Sequence, residues 1–245
     1  MSNSEKKVEC EVHGKQTATF VCNHLVRGDK LGFNYGYDPE YPDDLYPDAW
    51  CDECESVLEA EGEWNEKSEA FADIKVLCST CYEECRERNW IQDDDSYHDL
   101  ISSSFQYLQD KQDVFAKTFR INHHERWDWY QETGLLIFSH EGKPQVEAKI
   151  DFSGSISTNT GTWMWAWANE SLTKNIKLAS QEIRAFGEKH GYLHLAAAHW
   201  PATVEDGWEM TAIMAKQLGA TGAYRTPNDY GYMYMVIREA RWVNA

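Results

Sequence analysis

Four close pairs of metal-ligand residue types punctuate the first third of the chain: Cys10 with His13, Cys22 with His24, Cys51 with Cys54, and Cys78 with Cys81. A closed tetrahedral zinc site takes four protein ligands, so eight make two sites with none left over. Two pairs have the Cys-x-x-Cys spacing of zinc knuckles and a third is its Cys-x-x-His variant, while Cys22-Asn23-His24 is tighter. Spacing groups Cys51, Cys54, Cys78 and Cys81 as one site and Cys10, His13, Cys22 and His24 as the other. A cross-braced arrangement, in which alternating pairs share a metal, is the alternative. Cys85 lies one helical turn after Cys81 and is left as a buried thiol or a substitute ligand. Full protein coordination leaves no open position for a catalytic water, so two structural Zn2+ ions are expected.

At 245 residues the chain is long enough for a small module plus a full domain. The expected division is an acidic zinc-binding module over residues 1–92 and an α+β domain over 93–245. Seven cysteines is an odd count, and their paired spacing favours metal over a disulfide framework. The polar opening MSNSEKKVEC lacks an apolar stretch, and no run of the chain is apolar enough to span a bilayer. A cytoplasmic location without membrane contact is the expectation. The charge is placed unevenly: residues 1–100 hold 9 Lys and Arg against 25 Asp and Glu, whereas residues 101–245 hold 14 against 16. Such a surface repels phosphates, which argues against direct nucleic-acid binding and for either simple solvation or a basic protein partner.

The polar residues 1–9 are expected to be disordered, with a short hairpin around the first ligands up to about residue 34. From Tyr35 to Trp50 come three prolines, five acidic residues and five aromatics, a composition that excludes a central strand or helix. This loop either covers a small metal-held core or forms an interface, with Tyr41, Tyr46 and Trp50 as anchors. The tract LCSTCYEECRERN predicts a knuckle flowing into a helix, as in treble-clef zinc folds. After Asp93-Asp94-Asp95, apolar residues at three- and four-residue steps predict an amphipathic helix over 96–121. LLIFSH and QVEAKIDFSGS predict a hairpin, and GTWMWAWAN a strand with Trp163, Trp165 and Trp167 on one face. Helices are expected over Leu172–His190 and Val204–Leu218, a strand over LHLAAAHW, and two closing strands. The implied fold is α+β, an antiparallel sheet with helices on one face.

No Gly-x-Ser-x-Gly, P-loop, His-Glu-x-x-His or dinucleotide fingerprint occurs. His123 and His124 sit in a connection, and His194 and His199, five apart on a short strand, point to opposite faces and so cannot share one metal. The tryptophan stripe suits a sheet core better than a stacking platform. An enzyme is therefore not expected.

The segments CEVHG, TFVCNHL, PDAWCDECE and LCSTCYEECRERN, followed by TNTGTWMWAWANESL, resemble a group of two-part bacterial proteins of uncharacterised activity. Their C-terminal domain corresponds here to about residues 95–241. The resemblance extends to immunity proteins of toxins delivered by type VI secretion, nuclease effectors among them. It implies that this chain neutralises a cognate toxin by occluding its active or substrate-binding site, and it supplies no catalytic residue. A zinc-stabilised cytosolic adaptor is the alternative.

Overall fold

The structure is a computed structural model that describes residues 6–36, 44–130, 132–202 and 204–243. The chain divides into two compact units, Met1–Gln92 and Asp93–Ala245. The fold is α+β, and the sheet of the second unit is antiparallel throughout.

The first unit is organised by one strand. β1 (Lys7–Cys10) and β2 (Gly14–Val21) form a hairpin that closes at Cys10 opposite Gly14, whose φ of 69° suits a residue without a Cβ. A strand from Lys7 onward replaces part of the disorder expected there. Near its far end β2 pairs in two further ways. It runs parallel to β4 (Asp48–Trp50) at Val21 and Ala49, and antiparallel to β5 (Lys75–Cys78) from Ala18 to Val21. β3 (Asn34–Gly36) pairs with β4, so the proline-rich stretch starts and ends in short paired strands. Residues 37–43, Tyr41 among them, lie outside the described residues.

Four helices complete this unit among the described residues: α1 (Asn23–Arg27), α2 (Asp52–Glu61), α3 (Glu66–Ala72) and α4 (Ser79–Asn89). α3 starts with a full capping box between Asn65 and Ser68, and α2 stops at Gly62 in the left-handed region. α4 is tied to α1 through the Leu25 carbonyl, which accepts from Asn89 Nδ2 (2.9 Å), Cys85 Sγ (3.2 Å) and the Arg88 guanidinium (3.0 Å). Cys85 is thus a buried thiol bonded to backbone.

In the second unit, α5 (Asp94–Thr118) is N-capped by Asp93, whose carboxylate accepts from the Ser96 N–H at 3.1 Å. The sheet is built on the 15-residue β8 (Lys143–Ser157). β7 (Leu135–His140) pairs with its first half and β9 (Thr162–Trp165) with its last four residues. β12 (Gly231–Trp242) runs along its other edge. β6 (Arg126–Tyr130), β10 (His199–Pro201) and β11 (Gly222–Asn228) extend the sheet from β7, β9 and β12. α6 (Lys174–His190) packs on β8 and ends at Gly191 with φ 71°. α8 (Val204–Gln217) packs on β8, β12 and α5. Its residues Met210 to Ala215 are buried all round, and the Thr211 hydroxyl bonds Ser153 Oγ at 2.9 Å.

LHLAAAHW does not form one strand. Its first half is a short helix, α7 (Leu193–Ala196), and only His199–Pro201 is extended. The reason is local satisfaction. The Leu193 carbonyl accepts from Ala197 N–H (2.7 Å), and the His194 carbonyl accepts from Trp165 Nε1 (2.7 Å). An indole from the neighbouring strand thereby takes a carbonyl that the expected strand would have offered to a ladder.

Candidate metal centres

The fold gathers the eight paired residues into two groups of four, but not in the groups that spacing favoured. Cys10, His13, Cys78 and Cys81 form one group, and Cys22, His24, Cys51 and Cys54 the other. The first pair meets the last and the second meets the third, which is neither the sequential nor the alternating arrangement. Each group therefore holds three cysteines and one histidine, where spacing predicts one all-cysteine site and one with two cysteines and two histidines.

The cause is the length of β2. Its eight residues, at about 3.3 Å each, hold the hairpin turn and Cys22 some 25 Å apart, so Cys10 and Cys22 cannot share one ion. Instead, the chain after Cys78 runs back along β2 toward the hairpin turn. Gln16 Oε1 accepts from Ser79 Oγ (2.9 Å), Thr80 N–H (3.1 Å) and Thr80 Oγ1 (2.9 Å), fixing the junction of β5 and α4. At the other end, the Cys22 N–H donates to the Ala49 carbonyl at 3.0 Å, and the Cys51 N–H donates to Cys22 Sγ at 3.4 Å. Strand pairing, rather than distance in sequence, selects the partners.

Helix starts supply most of the ligands. Cys22, Cys51 and Cys78 are the N-cap residues of α1, α2 and α4, and His24, Cys54 and Cys81 lie in the first turns that follow. The backbone N–H groups and the positive end of the helix favour thiolates there. Cys78 Sγ, for example, accepts from the Cys81 N–H at 3.4 Å.

The spacings fit a tetrahedral ion. In the first group, His13 Nδ1 lies 3.7 Å from Cys10 Sγ, 3.5 Å from Cys78 Sγ and 3.5 Å from Cys81 Sγ, and the Cys10 and Cys81 sulfurs are 4.0 Å apart. In the second, His24 Nδ1 lies 3.3 Å from Cys54 Sγ and 3.7 Å from Cys51 Sγ. Metal–sulfur and metal–nitrogen bonds of about 2.3 and 2.0 Å give tetrahedral edges of about 3.5 to 3.8 Å. Both histidines present Nδ1 to their group. His13 turns Nε2 toward Glu84 Oε1, 3.9 Å away, as metal-binding histidines commonly do toward a carboxylate.

Without a cation, Cys22, Cys54 and Cys81 are costly to ionise. Burial pushes Cys22 up, pushes Cys54 up further with the help of the neighbouring sulfurs, and pushes Cys81 up to about 12. Cys10 alone is lowered, to about 7, chiefly by the backbone N–H groups of His13 and Val12. A divalent ion reverses this balance by stabilising every thiolate at once. Each group can hold one metal ion, and four protein donors close its coordination.

The other sequence candidates take structural places. Trp163 and Trp165 on β9 are fully buried, in edge contact with each other at 5.4 Å, and Trp167 lies in the 3-10 turn that follows under the Arg184 guanidinium. His194 stacks on Trp200 at 4.8 Å. His124 Nε2 donates to the Phe119 carbonyl at 3.0 Å, and His123 ends a 3-10 turn. Among the intended loop anchors, Tyr46 packs inward against Tyr82 at 5.8 Å, with burial raising its hydroxyl to about 12. Sequence reasoning missed Gln16 and Glu84, whose roles depend on contacts 63 and 71 residues away along the chain. It also missed a cleft of about 340 Å³ in the second unit, where Asp151 pairs with Arg238 at 3.3 Å beside Lys149 and Asn175. Burial raises the Asp151 carboxyl, and Arg238 opposes the shift.

No helix among the described residues is long and apolar enough to cross a membrane. No curated protein and no solved structure matches the chain. A profile that covers residues 98–240, over half the chain and none of the metal-ligand residues, places this protein in a family of unknown function, DUF6882.

Proposed function

We propose that the protein is an immunity protein that captures a basic secreted toxin, a nuclease effector, through its acidic metal-held unit and occludes the toxin's active or substrate-binding site. The observation that carries the proposal is the coincidence of charge with closed metal groups. Residues 1–92 hold 9 Lys and Arg against 21 Asp and Glu, a balance of −12, while residues 93–245 hold 14 against 20. Zn2+ suits a donor set of three thiolates and one imidazole, and two such ions held by Cys10, His13, Cys78, Cys81 and by Cys22, His24, Cys51, Cys54 leave the unit a further −2. With no coordination position left for substrate, the ions act as cross-links that fix an acidic surface. A rigid acidic surface captures a cationic partner quickly and competes with phosphate for the same site.

Co-expression with the toxin encoded beside this gene tests the proposal. Growth should be rescued, a complex should co-elute on size exclusion, and association should slow with added salt while dissociation changes less. Absence of both rescue and complex would reject it. The second reading, a zinc-stabilised adaptor for another protein, is favoured by one observation: the family match begins at residue 98 and leaves the metal unit outside. An adaptor would bind its partner equally well without any toxin gene nearby.

A further inference from the structure

The first unit contains a pocket of about 190 Å³ that shares one residue, Cys22, with the second metal group. Its floor is Val21, Cys22, Ala49 and Ala72, each no more than 3% exposed. Phe20, Trp50, Trp64 and Ile74 form the walls. The two indoles meet edge to face at 5.2 Å. Trp50 Nε1 donates to the Glu55 carboxylate, which satisfies the indole N–H. Asp48 and Glu69 stand at the rim. Beside the pocket on the same α3–β5 stretch, Phe71, Ile74 and Val76 are 39%, 45% and 50% exposed, an unusual run of apolar surface for so charged a unit.

Size and polarity limit the occupant. Sites for small molecules usually enclose about 300–1,000 Å³, so this volume suits a single large side chain. Aromatic walls with a carboxylate rim suit an apolar anchor flanked by cations, the arrangement in which a buried hot spot is ringed by polar contacts. We propose that this pocket is the docking point for a basic segment of the partner protein, which seats one aromatic or large aliphatic side chain in the pocket against the packed Trp50 and Trp64 and sets neighbouring Lys or Arg against Asp48 and Glu69. The proposal rests on the reading of a basic partner and places the contact at the Trp50 end of the proline-rich stretch, together with Trp64 and α3. Because Cys22 belongs to both the floor and the second metal group, the pocket exists only while that group is assembled.

Labelled nonapeptides of alternating Lys and Gly, with a central Trp or a central Ala, provide the probe on the full metal-loaded chain. The Trp-centred peptide should bind, and the Ala-centred peptide should bind at least about tenfold more weakly, the loss of a hot-spot side chain. Trp64→Ala should give a comparable loss. Ile74→Lys, at a half-exposed wall position that folding does not require, should do the same and guards against a Trp64 variant that fails to fold. Ile91→Ser, an exposed apolar residue outside the pocket, should leave binding unchanged. Equal affinity for both peptides, or indifference to both pocket variants, would overturn the pocket while leaving a basic partner in place. Binding of neither basic peptide would overturn both.

Discussion

The two units solve the same stability problem with different materials. In the first, five of the side chains that are buried and nearly inaccessible are cysteines: Cys22, Cys51, Cys54, Cys78 and Cys85. Val21 and Leu25 are the aliphatic residues larger than alanine that join them among the described residues. In the second, a continuous core gathers Leu136, Phe138, Val146, Ile150, Phe152, Met235 and Ile237 around Phe115, and α8 adds Met210, Ile213 and Met214. Phe33, Tyr82 and Trp90 add a buried aromatic cluster, yet a segment of about 90 residues with so few buried aliphatic side chains has little burial to set against its conformational entropy. Metal ions held by the two Cys/His groups would supply the cross-links that burial does not.

Removing metal should break this comparison most completely. Zinc binding in small metal-held domains is worth about 10–16 kcal/mol, more than the whole stability of a unit this size. Chelation, or Cys51→Ser or Cys78→Ser, should therefore abolish hydrogen-exchange protection across residues 6–92 while residues 93–243 keep theirs. A metal-free first unit with native protection would show its apolar core to be sufficient.

The reverse experiment targets the second unit. Trp165 is fully buried and its indole N–H satisfies the His194 carbonyl. Trp165→Ala should cost about 3–5 kcal/mol through lost burial and cavity formation. Thermal unfolding should show a lowered midpoint for this unit, with metal content unchanged. A simultaneous loss of metal would mean that the units are not independent.

How far the sequence disclosed this division differs between the units for the same physical reason. Metal ligands announce themselves as residue types at fixed spacing, so Cys10 to Cys81 were legible singly. Their grouping was not, because it depends on β2 staying extended from Gly14 to Val21 and on which strands pair with it. A strand read over QTATFV would have kept Cys10 and Cys22 apart. In the second unit, periodicity located α5, α6, α8 and the β7–β8 hairpin closely, because each has one long apolar face. The stretch after Gly191 failed because Leu193 to Ala198 is short and apolar but for His194, so periodicity could not separate a helical turn from a strand. What decided it was the Trp165 side chain, 29 residues away.

A smaller effect sharpens the contrast in pH response. Acid protonates cysteine ligands and strips metal, so the first unit should weaken as pH falls. The Asp151 carboxyl in the second unit works in the opposite sense. Burial raises its folded-state pKa above the unfolded value. The stability it contributes is thus fully present below the unfolded pKa and is lost as pH rises through the folded one. Asp151→Asn should flatten that part of the second unit's stability-versus-pH curve, measured by denaturant titration between acidic and neutral pH. An unchanged slope would show that Arg238 fully compensates the burial.

The claim beneath all of this is that β2 sorts eight ligands into two sites of three cysteines and one histidine, first pair with last and second with third. Metal analysis alone cannot test it, because any grouping gives about two equivalents. Methods that average over both ions fail as well, since every grouping shares the same six sulfurs and two nitrogens between them. Cadmium-113 NMR of the fully exchanged native chain resolves the sites one by one. Two resonances are expected, both in the range of three sulfurs and one nitrogen, one coupled to Cys10, His13, Cys78 and Cys81 and the other to Cys22, His24, Cys51 and Cys54. One resonance in the four-sulfur range beside one in the two-sulfur, two-nitrogen range, or a single resonance coupled to both Cys10 and Cys51, would contradict the nested grouping and the register of β2 with it.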